Sequence, residues 1–295
     1  MSEQIPLDAS DRAQETDNDD GTRQIAPDLA YLRTIMVNVV FFGEPAARHR
    51  RWVLIDTGVF GGKSSIKAAA ADRFGSGAKP AAIILTHGHF DHVGALEDLA
   101  EEWDAPVFAH PLEYPYLSGQ AAYPDGDPSV GGGLMASLSG LLPTKPVNVS
   151  TRLKSLPDDG SVPNMPGWRW IHTPGHSPGH VSFWRQSDRA LIAGDAFVTT
   201  RAESAYATAM QTPELHGPPR YFTIDWRKSK TSVETLAALQ PDLVITGHGR
   251  AMQGAAMTDT LDILARDFDQ IAVPSEGKYV ARPATVEDGS AYVQP

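Results

Sequence analysis

Cysteine is absent from this chain of 295 residues. Its absence excludes disulfide bonds, zinc–thiolate sites, iron–sulfur clusters and cysteine nucleophiles. Any metal ion that the protein binds must therefore be held by nitrogen and oxygen ligands. The chain contains ten histidines, so the positions of these residues decide whether the sequence predicts a metal site.

Long apolar runs and clusters of basic residues are also missing. No stretch approaches the ~20 apolar residues of a transmembrane helix, and we expect no membrane association. The formal net charge is −11, which disfavours nucleic acid as a partner because such binding needs clustered positive charge. The acidic N-terminus lacks the features of a secretory signal, so we expect a cytoplasmic protein. The predicted partner is a small-molecule substrate, with a homodimer left open.

Strand-like and helix-like segments alternate through the middle of the chain. RWVLIDTG and AAIILTHG are short apolar segments that end at glycine, as buried strands do. SSIKAAAADRF is typical of a helix, and Thr231 with Glu234 forms a capping box that predicts another helix, ending before Pro241. The alternation predicts an α/β fold with the site in loops at the strand ends.

Composition divides the chain into three parts. Residues 1–28 are polar and acidic and predict a mobile tail. Residues 29–272 predict one domain, and residues 273–295, interrupted by proline and glycine, predict a C-terminal tail. Two irregular stretches near 111–167 and 201–228 are interpreted as inserts in the domain, because long connections inside a compact domain are usually functional or mobile.

The segment HGHFDH, residues 87–92, begins one residue after the apolar run Ile83–Leu85. His87 and His89 leave a strand two positions apart and can converge on one ion, whereas Asp91 and His92 can turn toward a second ion. Imidazole together with carboxylate suits zinc, manganese or iron. So many ligands in six positions favour a metal-binding loop over a polar turn.

Three further candidate ligands follow the ends of later apolar segments. His176 lies after WRWIHTPG, Asp195 after LIAG and His248 after VITG. Several strand ends can aim side chains at one point, which predicts a single site built from distant parts of the chain.

Taken together, these motifs resemble the signature set of the metallo-β-lactamase superfamily. The resemblance spans about Tyr31 to Ile271 and includes Asp56 in LIDTG. It implies a four-layer αβ/βα sandwich, in which two sheets face each other, helices lie outside and the metal site sits at one edge. It also implies three ligands for a first ion, three for a second and one bridging residue: His87, His89 and His176; Asp91, His92 and His248; and Asp195.

A site of this kind implies a dinuclear metal-dependent hydrolase with two zinc ions, or with manganese or iron in their place. Two ions about 3.5–4 Å apart lower the pKa of a shared water toward ~7, so that hydroxide can attack an ester, thioester or lactone carbonyl. Asp91 is the candidate catalytic residue, because it could orient the hydroxide and accept its proton. Asp56 and His180 are expected to support the ligands from behind; the alternative for Asp56 is a turn residue before Gly58.

The substrate class stays open at the level of sequence. Asp195 favours the glyoxalase-II and lactonase side of the family over true β-lactamases, yet Val198 stands where acyl-homoserine-lactone lactonases typically carry a tyrosine. The alternatives are a β-lactamase, a phosphoester or phosphotriester hydrolase, and a mononuclear iron persulfide dioxygenase of the same fold. Three residues of the second insert are candidates for substrate binding: Tyr206, His216 and Tyr221.

Overall fold

Two stacked β-sheets organise the protein, as seen in a computed structural model that describes residues 5–7, 12–13, 15–17, 21–130, 139–200 and 214–295. A short ribbon pairs β1 (Ile5–Pro6) with β13 (Glu214–Leu215). The first sheet contains, in spatial order, β2 (Thr16–Asp17), β3 (Arg23–Ala26), β4 (Leu29–Thr34), β5 (Val37–Phe42), β6 (Val53–Ile55), β7 (Ala82–Ile84), β8 (Val107–Ala109) and β9 (Leu153–Ser155). The second contains β10 (Trp168–His172), β11 (Val181–Arg185), β12 (Ala190–Gly194), β14 (Leu243–Thr246) and β15 (Met252–Gln253).

Parallel pairing explains where the helices of the first sheet lie. Strands β6 to β9 are mutually parallel, whereas β2 to β6 pair antiparallel. Parallel neighbours need a crossover connection, and here α1 (Lys63–Phe74) joins β6 to β7 while α2 (Leu96–Trp103) joins β7 to β8. Both helices pack on the outer face of this sheet, where the Phe74 ring stacks on Trp52 at 4.5 Å.

The second sheet is covered in the same way. Strands β12 and β14 are parallel, and α4 (Trp226–Ala237) lies between them in the chain; α5 (Ala255–Arg266) follows β15. Val233 and Leu261 from these helices share an apolar cluster with Val244 of β14. Three one-turn helices complete the described set: α3 (Tyr114–Leu117), α6 (Phe268–Ile271) and α7 (Lys278–Ala281).

The central core lies between the two sheets. Tyr31 and Ile84 from the first sheet meet Phe183 and Ile245 from the second, and all four are almost fully buried. With helices on both outer faces, the layers follow the order helix, sheet, sheet, helix, which confirms the predicted αβ/βα sandwich. No helix in the described ranges has both the length and the apolar character that crossing a bilayer requires.

The N-terminal segment differs from the mobile tail predicted for residues 1–28. Strand β3 pairs with β4, so residues 23–26 belong to the first sheet. The carboxylate of Glu15 accepts hydrogen bonds from Arg23 Nη1 at 2.6 Å and from Arg250 Nη1 at 3.2 Å. Acidic composition suggested a solvated tail, but one of these acids forms ion pairs with the domain.

The predicted C-terminal tail and the first insert pack against each other. Tyr279 and Ala291 in the predicted tail 273–295 are buried, and Val293 pairs with Ala122 of the first insert. The C-terminal residues therefore pack against the segment that follows β8. Part of each insert, residues 131–138 and 201–213, lies outside the described residues.

Candidate metal centre

The structure brings together all seven side chains predicted as metal ligands. They come from the loops that follow β7, β10, β12 and β14, and each of them is buried. Within three overlapping groups the potential ligand atoms all lie within 4.8 Å of one another: His87, His89 and His176; His87, His92 and Asp195; and Asp91, His92 and His248. We call the first of these groups the first trio and the last the second trio.

Asp195 stands between the two trios. Its Oδ2 lies 3.4 Å from Nε2 of His176 in the first trio and 3.2 Å from Nε2 of His248 in the second. Its Oδ1 lies 3.6 Å from Nε2 of His92. One carboxylate thus reaches ligands on both sides, which is the arrangement expected of a residue that bridges two ions.

Buried polar atoms without partners show that a cation fits this site. Nε2 of His87, Nε2 of His92 and Oδ1 of Asp195 have no hydrogen-bond partner within the described part of the chain. Leaving such an atom unsatisfied costs about 1–3 kcal/mol, so three of them in one place need an explanation. Metal ions held between the trios would satisfy all three, and the nitrogen and oxygen donors suit zinc, manganese or iron.

Hydrogen bonds from behind orient the imidazole rings. In four of the histidines Nδ1 has an oxygen partner, which leaves Nε2 directed at the site. The partners are Asp56 Oδ2 for His92 at 2.8 Å, Met36 O for His248 at 2.9 Å, Thr86 Oγ1 for His87 at 3.0 Å and Thr223 Oγ1 for His176 at 3.2 Å.

Asp56 lies in a turn and also contacts a candidate ligand, so its position agrees with both interpretations of the sequence, a turn residue and a residue that supports the ligands. Its backbone is left-handed, with φ of 59°, at the turn that follows β6. Its Oδ1 accepts from the Thr86 backbone N–H at 2.8 Å, and its Oδ2 accepts from the Thr86 hydroxyl at 2.8 Å as well as facing His92. The turn therefore presents a carboxylate that supports the ligands.

His180 lies behind Asp195 and outside the three ligand groups. Its Nε2 accepts from the Asp195 backbone N–H at 2.9 Å, and its Nδ1 lies 2.8 Å from Thr173 Oγ1. Burial lowers the pKa of His180 to about 3, so the ring stays neutral and can accept that bond. A Cβ on Gly194 would lie 2.6 Å from Nε2 of His180, which explains glycine before the aspartate.

The two trios differ in their electrostatics. Burial lowers the pKa of His87 and His89 well below the usual value and that of His176 to about 4. Burial acts in the same direction on His92 and His248, but the carboxylates around them, Asp195 foremost, raise the pKa of both. The first trio therefore offers neutral imidazoles, whereas the second trio attracts positive charge.

Glu113, which the sequence did not indicate, and two aromatic residues of the inserts complete the surroundings. Glu113 is fully buried beside the loops of the first trio, and the ring of Tyr123 lies 4.2 Å from that of His89. Phe222 lies 5.0 Å from His89 on another side. A glutamate in the proline-rich stretch after β8 has no local pattern that would mark it, because its partners are distant in the chain.

The predicted substrate-binding residues have different outcomes. Tyr206 lies outside the described residues. His216 is buried with Nε2 3.2 Å from Glu214, and its backbone pairs with that of Val198. Tyr221 is buried in an apolar cluster with Phe222 and Val130. A substrate contact at these positions stays a prediction.

Comparison with known proteins agrees with this geometry. Residues 33–248 match the family described as the metallo-beta-lactamase superfamily. The match covers well over half of the chain, and this protein belongs to that superfamily.

Relatives within the superfamily show what the chain is similar to. It is 44% identical over 240 residues to "Probable metallo-hydrolase YflN" of Bacillus subtilis, covering 81% of this chain and 90% of the relative. It is 25% identical to a hydroxyacylglutathione hydrolase of Bdellovibrio bacteriovorus over 59% of this chain and 60% of the relative. The crystal structure of TTHA1623 in a di-iron-bound form has 29% identity and a TM-score of 0.50, covering 80% of this chain and 96% of that one.

Proposed function

We propose that this protein is a dinuclear metal-dependent hydrolase that acts on the carbonyl group of an ester, thioester or lactone. The observation that carries the proposal is the position of Asp195, whose Oδ2 lies 3.4 Å from His176 Nε2 and 3.2 Å from His248 Nε2. A carboxylate shared in this way would give two ions a common ligand, which a mononuclear site would not need.

Each trio would hold one ion, and the residues act in complementary ways. Bound at these positions, two ions would supply an activated water near neutral pH and polarise the oxygen of the substrate. Asp91 is buried but is the most exposed of the seven candidate ligands, and its Oδ2 lies 3.4 Å from His248 Nε2. This position supports Asp91 as the residue that would orient the water and accept its proton.

The choice of an ester-type carbonyl rests on the relatives and on the apolar side chains beside His89. One relative is named hydroxyacylglutathione hydrolase, a name that indicates removal of an acyl group from glutathione, and the chain is 25% identical to it. The wall beside His89 contains the ring of Phe222, which packs with Tyr221 and Phe90. An apolar wall suits an uncharged acyl group better than a phosphate. Phosphoester hydrolysis and β-lactamase activity are the alternatives for the test below.

Zinc is our proposed metal, with iron or manganese as alternatives. The donor set permits all three, and the related TTHA1623 was crystallised with two irons. The proposal includes a small-molecule substrate, a cytoplasmic location and no nucleic-acid or membrane partner, with a homodimer left open.

Metal analysis of the purified protein, followed by substrate screening, tests this function. We expect close to two ions per chain and turnover of at least one lactone, thioester or aryl ester by the metal-loaded enzyme. Phosphotriesters and β-lactams in the same panel test the alternatives. A single iron per chain with oxygen consumption on persulfides would overturn the hydrolase in favour of a dioxygenase.

A further inference from the structure

Glu113 is a buried carboxylate that belongs to none of the metal-binding groups. It ends the 3₁₀ turn Pro111–Glu113, and its side chain is fully inaccessible to solvent. Within the described ranges it forms no ion pair with lysine or arginine. A buried charge of this kind must be satisfied by hydrogen bonds, so the identity of its donors shows what the residue does.

The donors to Glu113 come from both loops that carry the first trio. Oε2 accepts from the backbone N–H of Gly88 at 3.0 Å, and Gly88 lies between the ligands His87 and His89. Oε1 accepts from the Ser177 hydroxyl at 2.8 Å and from the Gly179 N–H at 2.7 Å, just after the ligand His176. One carboxylate therefore joins two loops that are almost 90 residues apart in the chain.

Tyr123 completes the arrangement. Its hydroxyl donates to Oε2 of Glu113 and also accepts from the Gly88 N–H at 2.9 Å. Its ring lies 4.2 Å from that of His89. The side chain therefore supports the carboxylate and one ligand of the first trio together.

Two glycines make this close approach feasible. A Cβ on Gly88 would lie 2.8 Å from the Tyr123 hydroxyl oxygen, and a Cβ on Gly179 would lie 2.8 Å from Cγ and 2.9 Å from the backbone nitrogen of Glu113. All three distances are too short for a side chain. The glycines in HGH and SPGH therefore fit a loop surface that is closed around Glu113.

We propose that Glu113 is a positioning residue for the first metal ion: it sets the spacing between the loop of His87 and His89 and the loop of His176. The spacing it controls is visible in the 2.9 Å between His89 Nδ1 and His176 Nε2. The second trio makes no hydrogen bond to Glu113 in the described structure. This inference rests on the proposed function, because it assumes that the first trio binds metal.

Substitution of Glu113 by glutamine tests the inference. Glutamine has one accepting oxygen, and its NH₂ group would face N–H donors, so the two loops should separate. Each trio is measured alone by removing a ligand of the other, with His248→Ala to isolate the first and His176→Ala to isolate the second. Affinity for Co²⁺ is obtained by competition with a chelator, and the visible spectrum of bound Co²⁺ reports its geometry.

We expect Glu113→Gln to weaken Co²⁺ binding by the first trio roughly 10–100-fold, as loss of a group that orients ligands does, and to change the spectrum. Binding of Co²⁺ by the second trio should change about twofold or less, since the residues of that trio make no hydrogen bond to Glu113. Asp127→Asn is the matched control. Asp127 is also buried in the first insert, but it accepts hydrogen bonds from Ser129 and Lys278, so it should leave both affinities unchanged.

Three outcomes would count against the inference. If Glu113→Gln binds Co²⁺ in the first trio as tightly as the parent, or weakens both trios equally, Glu113 has no positioning role. If the parent binds no Co²⁺ in either background, the proposed function itself fails. Should Glu113→Gln not fold, Tyr123→Phe removes only one donor to the carboxylate; it should weaken the first trio roughly fivefold, and an unchanged affinity would overturn the inference.

Discussion

Histidines of the two trios have different hydrogen-bond partners at Nδ1, on the side of the ring away from the candidate metal centre. In the first trio the partners of His87 and His176 are the hydroxyl groups of Thr86 and Thr223. In the second trio His92 faces the carboxylate of Asp56. A hydrogen bond to a charged group is roughly twice as strong as a neutral one. We therefore expect the second trio to depend more heavily on its supporting residue.

The pKa values of the histidines also differ between the two trios. Burial lowers the pKa of His89 and His176 in the first trio, whereas carboxylates raise the pKa of His92 and His248 in the second against the effect of burial. In the first trio, neutral hydroxyl groups contact the rings of His87 and His176, and the Glu113 carboxylate contacts only the loops that carry them. In the second trio a carboxylate, that of Asp56, contacts a ligand ring itself. The comparison teaches that two adjacent ion sites can be built from similar ligands with different physical support.

Removing Asp195 should have the largest effect, because its carboxylate reaches candidate ligands of both trios. Asp195→Ala should leave fewer than two ions per chain and lower the rate on any identified ester substrate by roughly 10³-fold, at least as much as the loss of one electrostatic donor from an active site. Metal content and steady-state rates provide the measurement. Asp127→Ala, which removes a buried aspartate outside the centre, controls for general destabilisation. Two ions retained at the affinity of the wild type would contradict the bridging role.

The parts of the fold that follow local patterns were predictable from the sequence. The helix Lys63–Phe74 and the strand Ala82–Ile84 lie where apolar spacing places them. The helix predicted to begin near Thr231 instead begins at Trp226, because the carboxylate of Asp225 caps it by accepting from the N–H groups of Arg227 and Lys228. Asp225 and Thr231 are both residues that can cap a helix, and they lie six positions apart. The local sequence alone does not decide at which of them the helix begins.

The site, like the fold, could be predicted only where a local sequence pattern marks its residues. The seven candidate ligands could be found from the sequence because their motifs lie just after apolar strands, so local sequence marks each of them. Glu113 could not, because its donors Gly88 and Gly179 lie 25 and 66 residues away. Long-range hydrogen bonds of this kind leave no local pattern. Strand β3 was missed for a different reason: it pairs with the adjacent β4, but the acidic composition of residues 1–28 suggested a tail.

Asp56→Asn sharpens the contrast between the trios and should have the second-largest effect. Asparagine keeps the shape and tolerates the left-handed backbone at this position. Its NH₂ group would donate to Nδ1 of His92, which shifts the proton to Nε2 and blocks that ligand atom. We expect metal affinity of the second trio to fall roughly 10–100-fold. The first trio should lose less, since Asp56 reaches His87 only through the Thr86 hydroxyl.

Chelator competition in the backgrounds His176→Ala and His248→Ala measures the two affinities separately. Thr86→Val is the matched control, because it removes the link from Asp56 to His87 and leaves the contact between Asp56 and His92 in place. It should affect the first trio more than the second. An Asp56→Asn variant with equal losses at both trios would refute the idea that the carboxylate specifically supports the second.

Thr223→Val should have the smallest effect, since it removes only a neutral hydrogen bond. The Thr223 hydroxyl lies 3.2 Å from His176 Nδ1 and donates to the carbonyl of Pro219 at 2.7 Å. Valine preserves the shape, so the first trio should lose about 1 kcal/mol of metal-binding free energy, or about fivefold in affinity. Thr258→Val is a matched control far from the ligands in the chain: Thr258 also donates to a proline carbonyl, that of Pro241, at 2.7 Å. The control should lower stability against urea and leave metal affinity unchanged. If Thr223→Val costs the first trio as much as Asp56→Asn costs the second, neutral and charged support are equivalent here and the contrast between the trios fails.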